Sequence, residues 1–402
     1  MSPDMSPQQP HTAIHIGLKE TPFTPRLRAL NKFESLEYWQ GYWAPADFGN
    51  MEREYFAIRN TASVFDVSPM NKYRITGPDA DEFLDRLVPR NLGKVRSGRV
   101  AYTVWCDDAG QVIDDGTLFH LGPQDWRLCC QEHQEWWLHV SAKGFDVTIT
   151  DETNAVAGLS LQGPTSFSVL SRLGLPGLER LRPFGIGTWR FQDWELMISR
   201  TGFTGDLGYE LWIDPAGALA LWDAVQAAGE GLGGVEPIGS HALNMARIEA
   251  GFIDAKLDFI PADQAIRPGR TRSPYELSLG WLVDLDKGHF TGRAALRAEK
   301  ARGSRYCLVP VDIEGMEPAQ DAIIYHKKKT EAGFISSGIW SPTLKRNIGL
   351  ANLKLPYGGS LRDDLWVEIY AMRELHWEKI MRRVTIIKSP FFQHERRSAL
   401  PG

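Results

Sequence analysis

The 402-residue sequence lacks the signals of several large protein classes. It contains no HExxH or GxSxG motif, no Walker loop and no dinucleotide-binding glycine loop, so we expect no metal, ATP or bound dinucleotide. Its ten histidines are scattered without ligand spacing, which also gives no indication of a metal site. The net charge of -5 provides no overall basic field, and this disfavours nucleic acid as a partner.

Membrane and secretion signals are also missing. No run of about eighteen apolar residues is present, so we expect no membrane-spanning segment and no membrane partner. Residues 1–19 have no basic region followed by an apolar core, which favours a loose arm over a secretory signal. The four cysteines (Cys106, Cys129, Cys130 and Cys307) form no CxxC pair, as is usual in a reducing compartment. These features favour a cytoplasmic protein.

The sequence does contain an internal repeat. Gly77-Pro78 follows a short apolar strand and precedes an amphipathic helix, and Gly163-Pro164 repeats this arrangement 86 residues later with leucines and an arginine at the same offsets. This repeat predicts two related α+β units. From residue 305 onward, short strands separated by turns predict a third, β-rich domain. The chain length also favours two or three domains.

The glycine-rich stretch at residues 199–212 is the most informative segment. Its three glycines allow a tight turn and a close approach of backbone to ligand. Apolar strands flank the turn, so the segment predicts a hairpin. Glu210 lies in the second strand between large apolar residues, where a half-buried carboxylate requires a hydrogen-bonding partner or a ligand. An ordinary hairpin with an edge glutamate is the alternative.

A second predicted hairpin, at residues 102–119, carries two adjacent acids. Side chains alternate along a strand, so at most one of Asp114 and Asp115 can point into a given pocket. If Tyr102 lines the same cavity, an aromatic face lies beside a charged acceptor. The alternative is an edge strand whose aspartates are solvated.

Several segments, in order between residues 52 and 355, resemble the aminomethyltransferase (T-protein) of the glycine cleavage system and its folate-dependent demethylase relatives. These segments are Ala57-Ile58-Arg59-Asn60, Phe65-Asp66-Val67-Ser68, Gly77-Pro78-Asp79, Tyr102 with residues 110–115, Leu161-Gln162-Gly163-Pro164, and residues 199–210, 247–251 and 338–351. The resemblance implies an α+β cloverleaf of three domains around a central tetrahydrofolate channel. The implied domains are residues 1–68 with 156–262, residues 69–155 with 263–293, and residues 294–402.

The resemblance also implies roles for individual residues. Glu210 would accept hydrogen bonds from the pterin, and Phe203 and Arg247 would belong to the same folate pocket. On its residues alone, Arg247 either extends towards solvent or binds an anion. Tyr102 would line the channel, and Asp115 would lie near the reactive folate nitrogen. There a carboxylate can orient that nitrogen and stabilise positive charge, so Asp115 and Tyr102 are the predicted catalytic pair.

Departures from the T-protein pattern favour the demethylase branch. Phe203 replaces a tyrosine, Ser68-Pro69-Met70 replaces Ser-His-Met, and Asp254-Ala255-Lys256 replaces Leu-Tyr-Gly. With Trp105-Cys106, these differences argue against a docking surface for a lipoyl carrier protein. We therefore expect methyl transfer from a free small molecule to tetrahydrofolate, giving 5-methyltetrahydrofolate. Aminomethyl transfer and a non-catalytic folate-binding regulator are the alternatives, distinguished by the requirement for a carrier and by turnover.

The methyl donor itself stays open. A sulfonium donor leaves as a neutral thioether and needs an aromatic pocket, for which Trp105 and Trp281 are candidates together with Phe203. An aryl ether leaves as a phenoxide and needs a proton donor or a cation. The candidates for that role are Tyr102, His120, Lys287 and His289.

Overall fold

The computed structural model describes residues 17–399, and the expected loose arm lies outside this range except for its last three residues. The described residues form eight α-helices. They are α1 (Thr24–Leu30), α2 (Met51–Asn60), α3 (Ala80–Leu87), α4 (Glu135–Ser141), α5 (Ser166–Ser171), α6 (Ala218–Gly229), α7 (Ser240–Glu249) and α8 (Arg293–Arg302). Among residues 17–399, no helix has the length and apolar character needed to cross a membrane.

The same residues form nineteen β-strands, grouped into a small hairpin, two larger sheets and a barrel. They are β1 (Leu36–Trp39), β2 (Tyr42–Pro45), β3 (Ala62–Asp66), β4 (Asn71–Thr76), β5 (Arg99–Cys106), β6 (Val112–Gly122), β7 (Asp125–Cys130), β8 (Thr148–Asp151), β9 (Ala157–Gln162), β10 (Ile186–Phe191), β11 (Trp194–Ser199), β12 (Gly208–Ile213), β13 (Val235–Pro237), β14 (Tyr306–Ile313), β15 (Ile323–His326), β16 (Thr330–Ser341), β17 (Arg346–Lys354), β18 (Leu365–Arg373) and β19 (His376–Ile386).

The first sheet has the strand order β10-β11-β12-β9-β3-β13. Alternation along β12 places Tyr209, Leu211 and Ile213 in the apolar core that the sheet forms with α5 and α6. The intervening side chains of Glu210 and Trp212 therefore lie on the opposite face. The glycine-rich hairpin predicted from the sequence is confirmed, because β11 and β12 are antiparallel neighbours.

The second sheet has the strand order β5-β6-β7-β4-β8. One face is buried in a core that contains Trp105, Ile113 and Leu118 together with α3 side chains. The opposite face meets the first sheet, where the rings of Phe119 and Trp212 pack edge to face with centroids 5.7 Å apart. The two sheets thus enclose a shared interior. It lies between the face of the first sheet that carries Trp212 and the face of the second sheet that carries Phe119.

The predicted repeat is confirmed by two equivalent turns. Gly77 joins β4 to α3 with φ of 128°, and Gly163 joins β9 to α5 with φ of 123°. A Cβ atom at either glycine would lie 2.5 Å from a backbone carbonyl oxygen, that of Asp146 or that of Thr61. Both turns therefore require glycine for conformational and steric reasons.

Strands β14 to β19 close into a six-stranded barrel. This confirms the predicted α+β class with a C-terminal β-rich domain. Trp281 lies in a 3₁₀ helix (Gly280–Leu282) and not in a strand. The carboxylate of Asp79 accepts a hydrogen bond of 2.7 Å from the Asp146 amide and does not cap its own helix.

Candidate functional site

Tyr102 and Asp115 lie on the same face of the second sheet, towards the first sheet. Tyr102 pairs with Thr117, and Asp115 lies two residues before Thr117 on β6. The Tyr102 phenol donates a hydrogen bond of 2.9 Å to Oδ2 of Asp115. Burial raises the pKa of Asp115 to about 7; the Tyr102 hydrogen bond opposes this shift, and Asp254 and Asp258 reinforce it. The predicted catalytic pair is thus in direct contact.

Asp114 points to the other face, as alternation requires. It is fully buried opposite Trp105, and its carboxylate accepts hydrogen bonds from the backbone amides of Asp115 (2.9 Å) and Glu132 (3.2 Å). Burial raises the pKa of Asp114 well above its usual range. Trp105 is enclosed in the core on this face, so the structure does not bring it to a pocket as the sequence analysis expected.

The surroundings of Asp115 are acidic. Burial raises the pKa of Asp254 to about 6, and Asp258 contributes to the increase. Asp258 is itself neutralised by Arg247. Within residues 17–399, neither Asp115 nor Asp254 has a lysine or arginine within ion-pair distance. A cationic group would therefore be stabilised beside these two carboxylates.

Glu210 faces the same interior from the first sheet. Its Oε2 accepts hydrogen bonds from the hydroxyls of Thr201 (2.5 Å) and Ser199 (3.4 Å). Burial raises the pKa of Glu210, while these two hydrogen bonds lower it. No lysine or arginine in the described part of the chain forms an ion pair with this carboxylate. Glu210 is therefore a half-buried acceptor whose hydrogen bonds go only to neutral hydroxyls.

Arg247 is buried and fully engaged with the protein. Its guanidinium donates to Asp258 (2.6 Å), Ser337 (2.8 Å), Asn244 (2.8 Å) and the carbonyl of Phe252 (3.0 Å). These bonds connect α7 to the barrel through Ser337. The contact between Arg247 and folate stays a prediction, and the geometry gives this residue a positioning role.

Phe203, in the loop of the glycine-rich hairpin, packs against a second aromatic residue. Its ring stacks on Phe252, with centroids 5.7 Å apart and an interplanar angle of 23°. The guanidinium carbon of Arg397 lies 5.1 Å from the Phe252 ring centroid. Arg396 forms a bidentate ion pair with the buried carboxylate of Asp206, in the glycine-rich hairpin.

The sequence analysis missed this C-terminal segment. It assigned no role to Lys388, Arg396 or Arg397. The available signal was Phe391-Phe392, an aromatic pair that ends four positions before Arg396, because such a pair favours docking over solvation. The Phe392 ring centroid lies 3.8 Å from the guanidinium carbon of the buried Arg59.

Of the remaining pocket candidates, the structure places Trp281 next to Tyr102 and places His120 away from Asp115. Trp281 is 66% exposed, and its ring stacks on Tyr102 with centroids 6.5 Å apart, so it lies at the rim of the site. His289 is exposed. His120 stacks on Trp126 at 3.9 Å and bonds the Val95 carbonyl through Nδ1. By alternation His120 faces away from Asp115, which does not support its expected role as a proton donor.

Lys287 is also engaged elsewhere. Its buried ammonium donates to the carbonyls of Asp85, Val88 (3.0 Å) and Arg90 (2.7 Å), and it lies 2.9 Å from the Asp85 carboxylate. It therefore holds the segment after α3 in place and is not available as a free cation for substrate. Among residues 17–399, no group of three or more His, Cys, Asp or Glu side chains is arranged to hold a metal ion.

Comparisons with known proteins agree with this architecture. The GCVT N-terminal domain matches residues 30–287, and the glycine cleavage T-protein C-terminal barrel domain matches residues 305–393. The chain is 32% identical to the aminomethyltransferase of Herpetosiphon aurantiacus over 382 residues, covering 94% of this chain and 99% of that protein. It is 32% identical to the aminomethyltransferase of Geobacillus thermodenitrificans over 387 residues, with the same coverage.

A solved structure shows the same fold. The crystal structure of glycine cleavage system aminomethyltransferase T from Bartonella henselae matches with a TM-score of 0.81 and 22% identity. The match covers 96% of this chain and 100% of that chain. Together with the two domain matches, these similarities show that the chain belongs to the glycine cleavage T-protein family.

Proposed function

We propose that this protein transfers a one-carbon unit from an amine donor to tetrahydrofolate, in the manner of an aminomethyltransferase. Tetrahydrofolate is the co-substrate that membership of the T-protein family implies. The observation that carries the proposal is the pairing of Asp115 with Tyr102 on one sheet, facing an interior that Glu210 enters from the other sheet. The names of the relatives favour aminomethyl transfer over the demethylase reaction expected from the sequence.

The residues on the first sheet fit a pterin. Its ring presents several N–H donors along one edge, and Glu210 is a half-buried acceptor without a cationic partner among the described residues. Phe203 and Phe252 provide an aromatic surface beside the same hairpin. A flat heterocycle with a donor edge would satisfy both features.

Asp115 is suited to the transfer step. Tetrahydrofolate supplies a nucleophilic nitrogen that accepts the one-carbon unit when it is bound. The ionised carboxylate of Asp115, oriented by the Tyr102 hydroxyl, places negative charge where the transferred carbon becomes more positive. Asp254 strengthens this field. Because the pKa of Asp115 is raised to about 7, its carboxyl group can also hold a proton near neutral pH.

A methyl-transferring demethylase is the second candidate, favoured by specific residues. Phe203 and Ser68-Pro69-Met70 depart from the T-protein pattern, and these departures favour a free donor over a carrier-bound one. The acidic surroundings of Asp115 would stabilise a sulfonium or quaternary ammonium donor as well as an amine.

The test is a product assay with defined donors. The purified protein and tetrahydrofolate are incubated either with an aminomethylated lipoyl carrier or with a panel of sulfonium, betaine and methoxybenzoate compounds. Ammonia with a methylene-bearing folate supports aminomethyl transfer, whereas 5-methyltetrahydrofolate supports the demethylase. Asp115→Asn should abolish either product, and the matched variant Asp108→Asn, at an exposed turn position, should not. Tight folate binding with no product from any donor would contradict both reactions and favour a binding protein.

A further inference from the structure

Arg90 is a half-buried arginine beside the proposed site, in the segment between α3 and β5. Its Nη1 donates a hydrogen bond of 2.5 Å to the carbonyl of Tyr102, and its guanidinium carbon lies 5.8 Å from the Trp281 ring centroid. Across residues 17–399, no carboxylate forms an ion pair with Arg90. Most of its five N–H donors are therefore free of protein partners.

This situation differs from that of Arg59 and Arg247, two buried arginines near the site. Arg59 lies 2.7 Å from the Glu249 carboxylate, and Arg247 lies 2.6 Å from that of Asp258. Buried charges are normally paired in this way, because desolvation of an isolated charge is costly. Burial without a nearby acid lowers the pKa of Arg90. An anion that binds there would restore the missing pairing.

The protein nevertheless holds Arg90 in a fixed position. The Lys287 ammonium donates a hydrogen bond of 2.7 Å to the Arg90 carbonyl. The nearby acid Asp284 is occupied by Lys94 (2.9 Å) and Asn91 (3.1 Å). The backbone of Arg90 is thus fixed by Lys287, its guanidinium is oriented by the Tyr102 carbonyl, and Asp284 already has two other partners.

The position of Arg90 relative to Asp115 defines the shape of a ligand. Arg90 binds the backbone end of Tyr102, and Asp115 accepts from the phenol end of the same residue. The guanidinium of Arg90 and the carboxylate of Asp115 therefore lie at opposite ends of Tyr102, and the Trp281 ring stacks on the ring of Tyr102 between them. A molecule that lies along this aromatic surface would have a negative end at Arg90 and its reacting carbon at Asp115.

We propose that Arg90 binds a carboxylate of the ligand whose reacting end lies at Asp115. The carboxylate is either that of the one-carbon donor or that of the glutamate of tetrahydrofolate, since a guanidinium pairs with both in the same bidentate geometry. The proposal rests on the proposed function, because Asp115 is taken as the place of one-carbon transfer.

The experiment measures binding by calorimetry for the wild-type protein, Arg90→Gln and the control Arg96→Gln. Arg96 carries the same charge in the same segment, is exposed and forms no ion pair among residues 17–399, so its replacement leaves Asp284 engaged by Lys94. The folate probes are tetrahydrofolate and 6-methyltetrahydropterin, which has the pterin but no carboxylate. The donor probes are two pairs that differ in the carboxylate, trimethylglycine against choline and 4-methoxybenzoate against 4-methoxybenzyl alcohol.

Arg90→Gln should weaken the carboxylate-bearing ligand roughly 10- to 100-fold. A loss for tetrahydrofolate but not for 6-methyltetrahydropterin assigns the carboxylate to the folate glutamate. A loss for trimethylglycine or 4-methoxybenzoate, without a loss for the paired neutral or cationic probe, assigns it to the donor. The Arg96→Gln control should match the wild type throughout.

The proposal is overturned if Arg90→Gln and Arg96→Gln bind all probes equally. It is also overturned if Arg90→Gln retains tetrahydrofolate affinity and no carboxylate donor probe binds the wild type. Failure of the proposed function has a different signature, because the wild type would then bind neither tetrahydrofolate nor the pterin. In that case the four donor probes still decide the role of Arg90.

Discussion

The phenol of Tyr102 donates a hydrogen bond of 2.9 Å to Oδ2 of Asp115, between the edge strand β5 and its neighbour β6 in the second sheet. This bond stabilises the ionised carboxylate, while burial and the neighbouring acids destabilise it. The balance raises the pKa of Asp115 to about 7. A carboxylate in this range changes its charge near neutral pH, which most aspartates do not.

The rate of one-carbon transfer should therefore depend on pH around this value. We expect kcat/KM to decrease as the pH falls through about 7, because protonation removes the negative charge that faces the transferred carbon. Tyr102→Phe removes the bond that lowers this pKa, so its midpoint should move upward by about one pH unit. The measurement is a pH–rate profile of both proteins. An identical midpoint would mean that the observed ionisation belongs to another group.

The ionisation of Asp115 should also lower the free energy of unfolding. The pKa of Asp115 is higher in the folded state than in the unfolded chain, so the folded state binds the extra proton between about pH 4 and pH 7. The free energy of unfolding therefore decreases as the pH rises through that window. Asp115→Asn removes this cost and should stabilise the fold by about 1–3 kcal/mol at pH 8, with little effect at pH 4.

Urea denaturation at the two pH values tests this expectation. The control Asp108→Asn, at an exposed position in the same hairpin, should show no such pH-dependent gain. A loss of stability in Asp115→Asn at pH 8 would show that the charged carboxylate has stabilising partners. The combination of higher stability and lower activity is the usual sign of an active-site charge.

Glu210 should determine folate affinity. Glu210→Ala removes the half-buried acceptor that would pair with the pterin edge, and we expect tetrahydrofolate binding to weaken roughly 100-fold. The matched control is Glu195→Ala, since Glu195 is exposed on the neighbouring strand β11. Both affinities are measured by calorimetry. Unchanged affinity in Glu210→Ala would contradict the proposed position of the pterin.

The parts of this site that could be predicted from sequence depend on local rules. Strand alternation required Asp114 and Asp115 to face opposite sides, and the apolar pattern around Glu210 required a hairpin. The alternation alone did not show which face was covered by helices. Trp105 was therefore assigned to a pocket although it lies in the core opposite Asp114.

Other parts depend on contacts between distant segments. Lys287 was considered a free cation because its three carbonyl partners lie about 200 residues earlier in the chain. The isolation of Arg90 was equally invisible, since a missing partner is defined only by the folded surroundings. Sequence patterns report periodicity and local propensity, whereas pairing of charges depends on tertiary structure.

The C-terminal segment provides a final prediction, because two adjacent arginines have different contacts. Arg396 pairs with the fully buried side chain of Asp206, which Arg59 also approaches at 3.5 Å. Arg396→Ala should therefore destabilise the fold by about 1–3 kcal/mol. This cost is smaller than that of leaving a buried carboxylate with no partner, because Arg59 remains near Asp206. Arg397 is exposed and contacts the face of Phe252, so Arg397→Ala should change stability by less than about 0.5 kcal/mol.

The two variants should also differ in their affinity for tetrahydrofolate. Arg397 lies over Phe252, which stacks on Phe203 at the proposed pterin surface, so Arg397→Ala should weaken tetrahydrofolate binding by a few-fold, the size expected of a partly exposed cation–π contact. Thermal denaturation and calorimetry on the two variants give both quantities. If Arg397→Ala destabilises the fold and leaves tetrahydrofolate binding unchanged, the C-terminal segment only stabilises the fold. The opposite pattern places the C-terminal segment in the folate site, because only a ligand contact couples an exposed arginine to affinity without a cost in stability.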